Sequence, residues 1–149
     1  DIDGKVLIQT FSPDNYVLKY ILNHDFEGFY SEEIKLRETF SYLPYNNIIR
    51  VLVSSVNEQN AANSSMQIKD AIIFYLKKKA VDNVNIMGPF PCLVSKIENK
   101  YRWQILIKDS EVEIHLIKSI INYILTEKRS VVLLDNVNAS VDINPINMV

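Results

Sequence analysis

The run Leu93-Val94-Ser95-Lys96-Ile97-Glu98-Asn99-Lys100-Tyr101-Arg102-Trp103-Gln104-Ile105-Leu106-Ile107-Lys108 decides the fold. Apolar and β-prone residues fill both arms, and Glu98-Asn99-Lys100 is the polar break between them, so residues 93–97 and 101–108 read as the two strands of a hairpin. Toward the N-terminus, the first arm begins earlier, at Val84-Asn85-Ile86, and is interrupted by Gly88-Pro89-Phe90-Pro91. Before it lies a helical pattern from about Asn57 to Lys79. Its buried stripe is Ala61 or Ala62, Ser65, Ile68, Ile72 and Tyr75 or Leu76, and Lys77-Lys78-Lys79 stands at the end where the helix dipole favours cations. Earlier still, Ile49, Val51 and Val53 alternate with Arg50, Leu52 and Ser54, the period of a strand.

Toward the C-terminus, Ser110-Glu111-Val112-Glu113 has the form of a capping box and opens a helix carrying Ile114, Ile117, Ile121 and Ile124. Two β-rich runs follow, residues 131–134 and 139–143, separated by Asn136-Val137-Asn138. From residue 47 the order is therefore β-α-β-β-α-β. This is the α+β, ferredoxin-like plan: an antiparallel sheet with two helices on one face and the other face open.

Residues 1–46 read differently. Residues 5–11 form a strand-like run. Ser12-Pro13 then opens a helix to about Leu22, and Asp25 caps a second helix with Phe26, Phe29, Tyr30, Ile34 and Phe40 on its apolar side. Tyr42-Leu43-Pro44-Tyr45 ends it, because a proline disfavours helix in the residue before it. Two segments are expected, 1–46 and 47–149. The start Asp1-Ile2-Asp3-Gly4, without an initiator Met and running straight into a strand-like run, is expected of a piece of a longer chain.

A chain of 149 residues, 48% apolar and 23% charged, has enough material for a core without staples. Its one cysteine, Cys92, permits no internal disulfide and reads as a buried thiol. No apolar run approaches the roughly 20 residues of a membrane span, and no signal peptide is visible. The net charge of −2 means that any nucleic-acid contact must come from a local patch or a partner domain. Only three glycines occur, at 4, 28 and 88, too scattered to cradle a phosphate.

Catalytic or metal-binding constellations are not evident. His24 and His115 stand apart without triad or metal neighbours, and the carboxylate pairs Glu32-Glu33 and Glu111/Glu113 fit solvated helix faces. The parity of the hairpin is more informative. Tyr101, Trp103, Ile105 and Ile107 point toward the helices, so Trp103 is expected in the core; Lys100, Arg102, Gln104, Leu106 and Lys108 point to the open face. In the ferredoxin-like plan the first and third strands are neighbours, which would set Arg50 and Leu52 beside Arg102 and Gln104. Two readings of that face stand together. It docks on another domain, with Arg50 paired to Asp142 on the last strand, because a face meant only for water would not carry Leu52 and Leu106. Or its cations touch DNA phosphates. The candidate DNA-binding residues are Arg50, Lys96, Lys100, Arg102, Gln104 and Lys108.

Several segments carry a resemblance. Residues 4–13, GKVLIQTFSP, resemble the segment after the last helicase motif in the PriA family of bacterial replication-restart helicases. His24-Asp25-Phe26-Glu27-Gly28-Phe29-Tyr30, with Glu33 and Arg37, looks like that family's two-helix stretch. Gly88-Pro89-Phe90-Pro91 followed by Tyr101-Arg102-Trp103-Gln104-Ile105-Leu106-Ile107-Lys108 looks like its C-terminal hairpin, and Val141-Asp142-Ile143-Asn144-Pro145 like its closing motif. The chain departs at Tyr42-Leu43-Pro44-Tyr45, where the family has Tyr-Pro-Pro-Phe, and at Lys96, where the family has Arg.

The resemblance implies a superfamily 2, 3′→5′ DNA helicase whose ATP, Mg and Zn sites lie upstream, leaving no catalytic residue, metal site or cofactor in this chain. Residues 4–45 would complete the second helicase lobe, and the remainder would be a C-terminal domain. That domain would contribute to DNA binding at forks and D-loops, and to contacts with the upstream lobes, single-stranded-DNA-binding protein and primosome proteins. The implied location is the bacterial cytoplasm, at replication forks. Two other classes share the fold: a stand-alone ligand-sensing domain, which would need a pocket of convergent polar groups, and a ribosome-associated RNA-binding protein, which the acidic composition disfavours.

Overall fold

The computed structural model describes residues 4–82, 84–109 and 114–146 and divides into two compact units, residues 1–40 and 41–149.

The first unit is a helical hairpin, α1 (Tyr16–Leu22) and α2 (Phe26–Thr39). The strand expected over residues 5–11 is not formed, and those residues have no regular structure. An apolar run supplies strand propensity but no ladder partner, and a lone strand has nothing to satisfy its backbone. Helix α1 starts at Tyr16 rather than at Pro13, because Asn15 is the cap and accepts from Val17 N at 3.0 Å. Asp25 caps α2 as expected, accepting from Gly28 N at 2.8 Å. The two helices are tied by the Tyr16 hydroxyl donating to Glu33, the Tyr20 hydroxyl donating to Glu32, and the Tyr20 and Phe29 rings with centroids 6.3 Å apart. No described side chain of this unit is buried.

The second unit contains β1 (Asn47–Ser55), α3 (Glu58–Lys78), β2 (Asn85–Ile97), β3 (Lys100–Asp109), α4 (Ile114–Thr126), α5 (Arg129–Val132) and β4 (Val137–Ile143). All sheet neighbours are antiparallel, in the order β2-β3-β1-β4. This is the ferredoxin-like arrangement expected from the element order. Ile49, Val51, Val53, Ile105 and Ile107 face α3 and α4 in one core, where α3 contributes Ile68, Ile72 and Leu76 and α4 contributes Ile114, Ile117, Ile120, Ile121 and Ile124. The expected capping box at Ser110–Glu113 lies outside the described residues.

Helix α3 begins at its Asn57 cap, which accepts from Asn60 N. It ends in a Schellman turn: Val81 N donates to Leu76 O, Ala80 N donates to Lys77 O, and Ala80 takes φ 57° where glycine is usual. The β-rich run at 131–134 is not a strand. Residues 129–132 form the single turn α5, Val132 and Leu133 are buried in the core, and Leu134 N donates to Ser64 Oγ at 3.1 Å. Tertiary packing there overrides the strand preference of β-branched residues.

The central hairpin closes in two residues. Ile97 pairs with Lys100, and Glu98 and Asn99 both take positive φ (49° and 60°), the signature of a type I′ turn. Strand β2 is irregular, with register shifts between Met87 and Phe90 and between Pro91 and Lys96. Gly88 sits in the first with φ 92°, and a Cβ there would meet the Gln104 carbonyl oxygen at 2.8 Å, so only glycine fits.

Candidate nucleic-acid interface

The pairing of β1 with β3 defines the sheet face turned away from the helices. Ile48 stands opposite Lys108, Arg50 opposite Leu106, Leu52 opposite Gln104 and Ser54 opposite Arg102. Directly opposed residues share a face, so Arg50, Arg102, Gln104 and Lys108 do lie on one side. Leu52 stands opposite Gln104 as expected, but because the strands are antiparallel the neighbour of Arg50 is Leu106, four residues along β3 from Arg102.

That face is also less open than the sequence implied. Arg50 is only 7% exposed and Gln104 only 6%. Arg50 donates from Nε (3.1 Å) and Nη2 (2.6 Å) to Asp142 Oδ2 on β4. Cys92 is buried, and Arg50 and Arg102 are near enough to offset part of the upward pull that burial exerts on its thiol. Lys108 lies 3.9 Å from the centre of the Tyr42 ring, a cation–π contact supplied by the segment before β1. Sequence reasoning placed Tyr42 only in the Tyr42-Leu43-Pro44-Tyr45 segment that ends α2 and did not connect it with Lys108.

The exposed part of the site is the far end of the β2–β3 hairpin, where residues 93–100 are all exposed. Leu93 is 84% exposed, and Val94 and Ile97 are exposed beside it. Lys100 sits at the turn. Half-buried Arg102 sends Nη1 toward the Val94 carbonyl at 3.4 Å. Lys96 does not share the face of Arg102. It pairs with Tyr101 on the opposite side, its Nζ 4.4 Å from that ring, because the register shift after Pro91 breaks the count of alternating residues along β2.

The six candidates therefore separate into three sets. Arg50 and Gln104 are buried, Lys108 rests on Tyr42, and Lys96, Lys100 and Arg102 surround one hairpin end from both faces. Between Cys92 and Arg102 the sequence has a single carboxylate, Glu98. Trp103, expected in the core, is half-buried and lines a shallow cleft with Tyr101, the Asn57 cap, and Glu58 and Ala62 at the start of α3. No helix among the described residues is long and apolar enough to cross a membrane.

Fold and site together define an α+β module of ferredoxin-like topology that presents a basic β-hairpin. The family model described as the primosomal protein N C-terminal domain matches residues 38–146, and the chain belongs to that family. The chain is 28% identical over 149 residues to the replication restart protein PriA of Borreliella burgdorferi, an alignment covering 99% of the chain and 21% of that protein. It is 31% identical over 145 residues to that of Bacillus subtilis, covering 97% of the chain and 17% of the relative. The PriA of Thermotoga maritima is 33% identical over 110 residues, 74% of the chain and 14% of that protein. The chain thus spans about a fifth or less of the length of these relatives.

Proposed function

We propose that this chain is the non-catalytic C-terminal region of a replication-restart DNA helicase, and that it holds DNA backbone with the end of its β2–β3 hairpin. The observation that carries this reading is the grouping of Lys96, Lys100 and Arg102 around an exposed two-stranded ribbon whose only carboxylate is Glu98. A two-stranded ribbon is one of the elements that enters a groove, and cations on both of its faces reach phosphates on either side. With no donor set arranged against base edges, binding is tolerant of sequence and suits a protein that acts at fork structures.

The half-buried Leu52 and Leu106 on the same sheet face support a second role. They form a docking surface for the upstream helicase lobes, with Arg50 and Asp142 fixing the sheet beneath it. Residues 4–40 complete the second helicase lobe in this reading. That agrees with a unit in which no described side chain is buried and Val6, Leu7 and Phe11 are almost fully exposed. ATP, Mg and Zn then belong to the rest of the parent protein. Partners are forked DNA, single-stranded-DNA-binding protein and primosome proteins in the bacterial cytoplasm. Family membership favours this reading over a ligand-sensing or ribosomal one.

The test is fluorescence anisotropy of the purified chain on a labelled fork, with ATPase measured alongside. Wild type should bind without ATPase above background, and Lys100→Glu with Arg102→Glu should weaken binding more than tenfold. Unchanged affinity in the double variant would remove the hairpin from DNA contact and leave the docking surface alone.

A further inference from the structure

The outer surface of the helix layer carries a second cluster, on the side of the sheet opposite Arg102. Phe74 on α3 is 61% exposed and meets the half-buried Tyr75 edge-on, with ring centroids 5.2 Å apart at 83°. Tyr75 meets Tyr123 of α4 in the same way, at 5.3 Å and 80°, and Tyr123 is 39% exposed. Lys128 Nζ stands 5.8 Å from the centre of the Tyr123 ring. Phe74 lies outside the stripe by which α3 enters the core, so the core does not account for it.

The surrounding charge is mostly positive. Lys77 and Lys78 lie one turn beyond Phe74, Lys79 caps the helix, and Lys128 follows α4. Among the described residues none of these four lysines has a carboxylate within ion-pair distance. Asp70, one turn before Phe74, Asp82, three residues after Lys79, and Glu127, one turn after Tyr123, are the opposing charges nearest in sequence.

We propose that this cluster is a binding site for single-stranded nucleic acid. Bases stack on the exposed faces of Phe74 and Tyr123, and the lysines take the backbone phosphates. Rings that stand off the surface among lysines with no carboxylate partner among the described residues match the stacking-platform chemistry of single-strand recognition. A duplex keeps its bases stacked on one another and cannot offer them to these rings. A protein partner fits poorly, because lysine is depleted from the cores of protein interfaces. The site uses none of the hairpin residues and stands independently of them.

The experiment titrates the chain against labelled oligothymidylate and against a duplex of equal length. Wild type should bind both. Phe74→Ala should weaken the single strand about tenfold, the loss of one stacked base, and change the duplex by less than twofold, whereas Phe74→Tyr should restore single-strand binding. Lys77→Gln with Lys78→Gln should flatten the single-strand salt slope by roughly 1.4, two contacts at about 0.7 each. Unchanged circular dichroism is expected for the exposed Phe74→Ala site. Arg102→Glu in the same titration separates the two sites, since it should weaken the duplex and leave the dependence on Phe74 intact. Wild type that binds no oligothymidylate, or Phe74→Ala that binds it as wild type does, would overturn the proposal, the first outcome leaving a protein-contact surface.

Discussion

Arg50 on β1 and Asp142 on β4 stand directly opposite each other, and the guanidinium holds the carboxylate through both Nε and Nη2 while its own side chain is almost wholly withdrawn from water. The Asp142 side chain remains 43% exposed. The pair therefore lies between a surface ion pair, worth about 0–1 kcal/mol, and a buried one, whose disruption costs about 3–5 kcal/mol. Asp142→Ala is expected to cost about 2 kcal/mol, because it leaves Arg50 charged and buried without its carboxylate. Urea unfolding measures this, and a loss under 0.5 kcal/mol, the scale of an ordinary surface change, would show that the pair does not hold β4.

Ala80 occupies the left-handed position of the Schellman turn that ends α3, at φ 57°. An alanine there carries a Cβ penalty of about 1–2 kcal/mol that glycine avoids, partly offset by glycine's greater freedom when unfolded. Ala80→Gly is thus expected to stabilise the second unit by about 1 kcal/mol, read as a rise of a few degrees in Tm. A fall in Tm would mean that the turn does not persist in solution.

Much of this architecture was legible in the sequence because local and global signals agree. Alternation at Ile49, Val51 and Val53, the cap at Asp25, the helical pattern from about Asn57 and the Glu98-Asn99-Lys100 turn each name an element that the tertiary structure also needs. Two apolar runs misled for one reason: strand propensity does not supply a strand partner. Residues 5–11 have none, and residues 131–134 gain more by burying Val132 and Leu133.

The site was less legible. Parity sorted the second face correctly along β1 and β3, which are regular; the further candidate Lys96, on irregular β2, lies off that face. The pairing of Arg50 with Asp142 was expected and is formed, but the depth to which it withdraws Arg50 from water was not. Phe74 and Tyr123 escaped notice because each looks like an ordinary helix residue until the fold brings them to either side of Tyr75.

In the first unit, hydrogen bonds from the Tyr16 hydroxyl and from Arg37 hold the Glu33 carboxyl below its ordinary value of 4.5. A carboxyl whose folded pKa is depressed stabilises the fold above its unfolded value and loses that contribution as pH falls through the folded one. The α1–α2 hairpin is therefore expected to lose helicity below about pH 4.5, and Glu33→Gln should abolish that component of the change. Circular dichroism across pH 2–7 reads both; an identical acid transition in Glu33→Gln would show that another carboxylate is responsible.

The salt dependence of duplex binding tests the hairpin most directly. If Lys96, Lys100 and Arg102 each contact a phosphate as proposed, each would contribute a slope of about −0.9 in log K against log salt. The wild-type chain is expected to show a slope near −3, and Arg102→Glu a slope flatter by about 1 with binding weakened alike on every sequence. Superimposable wild-type and Arg102→Glu titrations would contradict DNA contact by the hairpin.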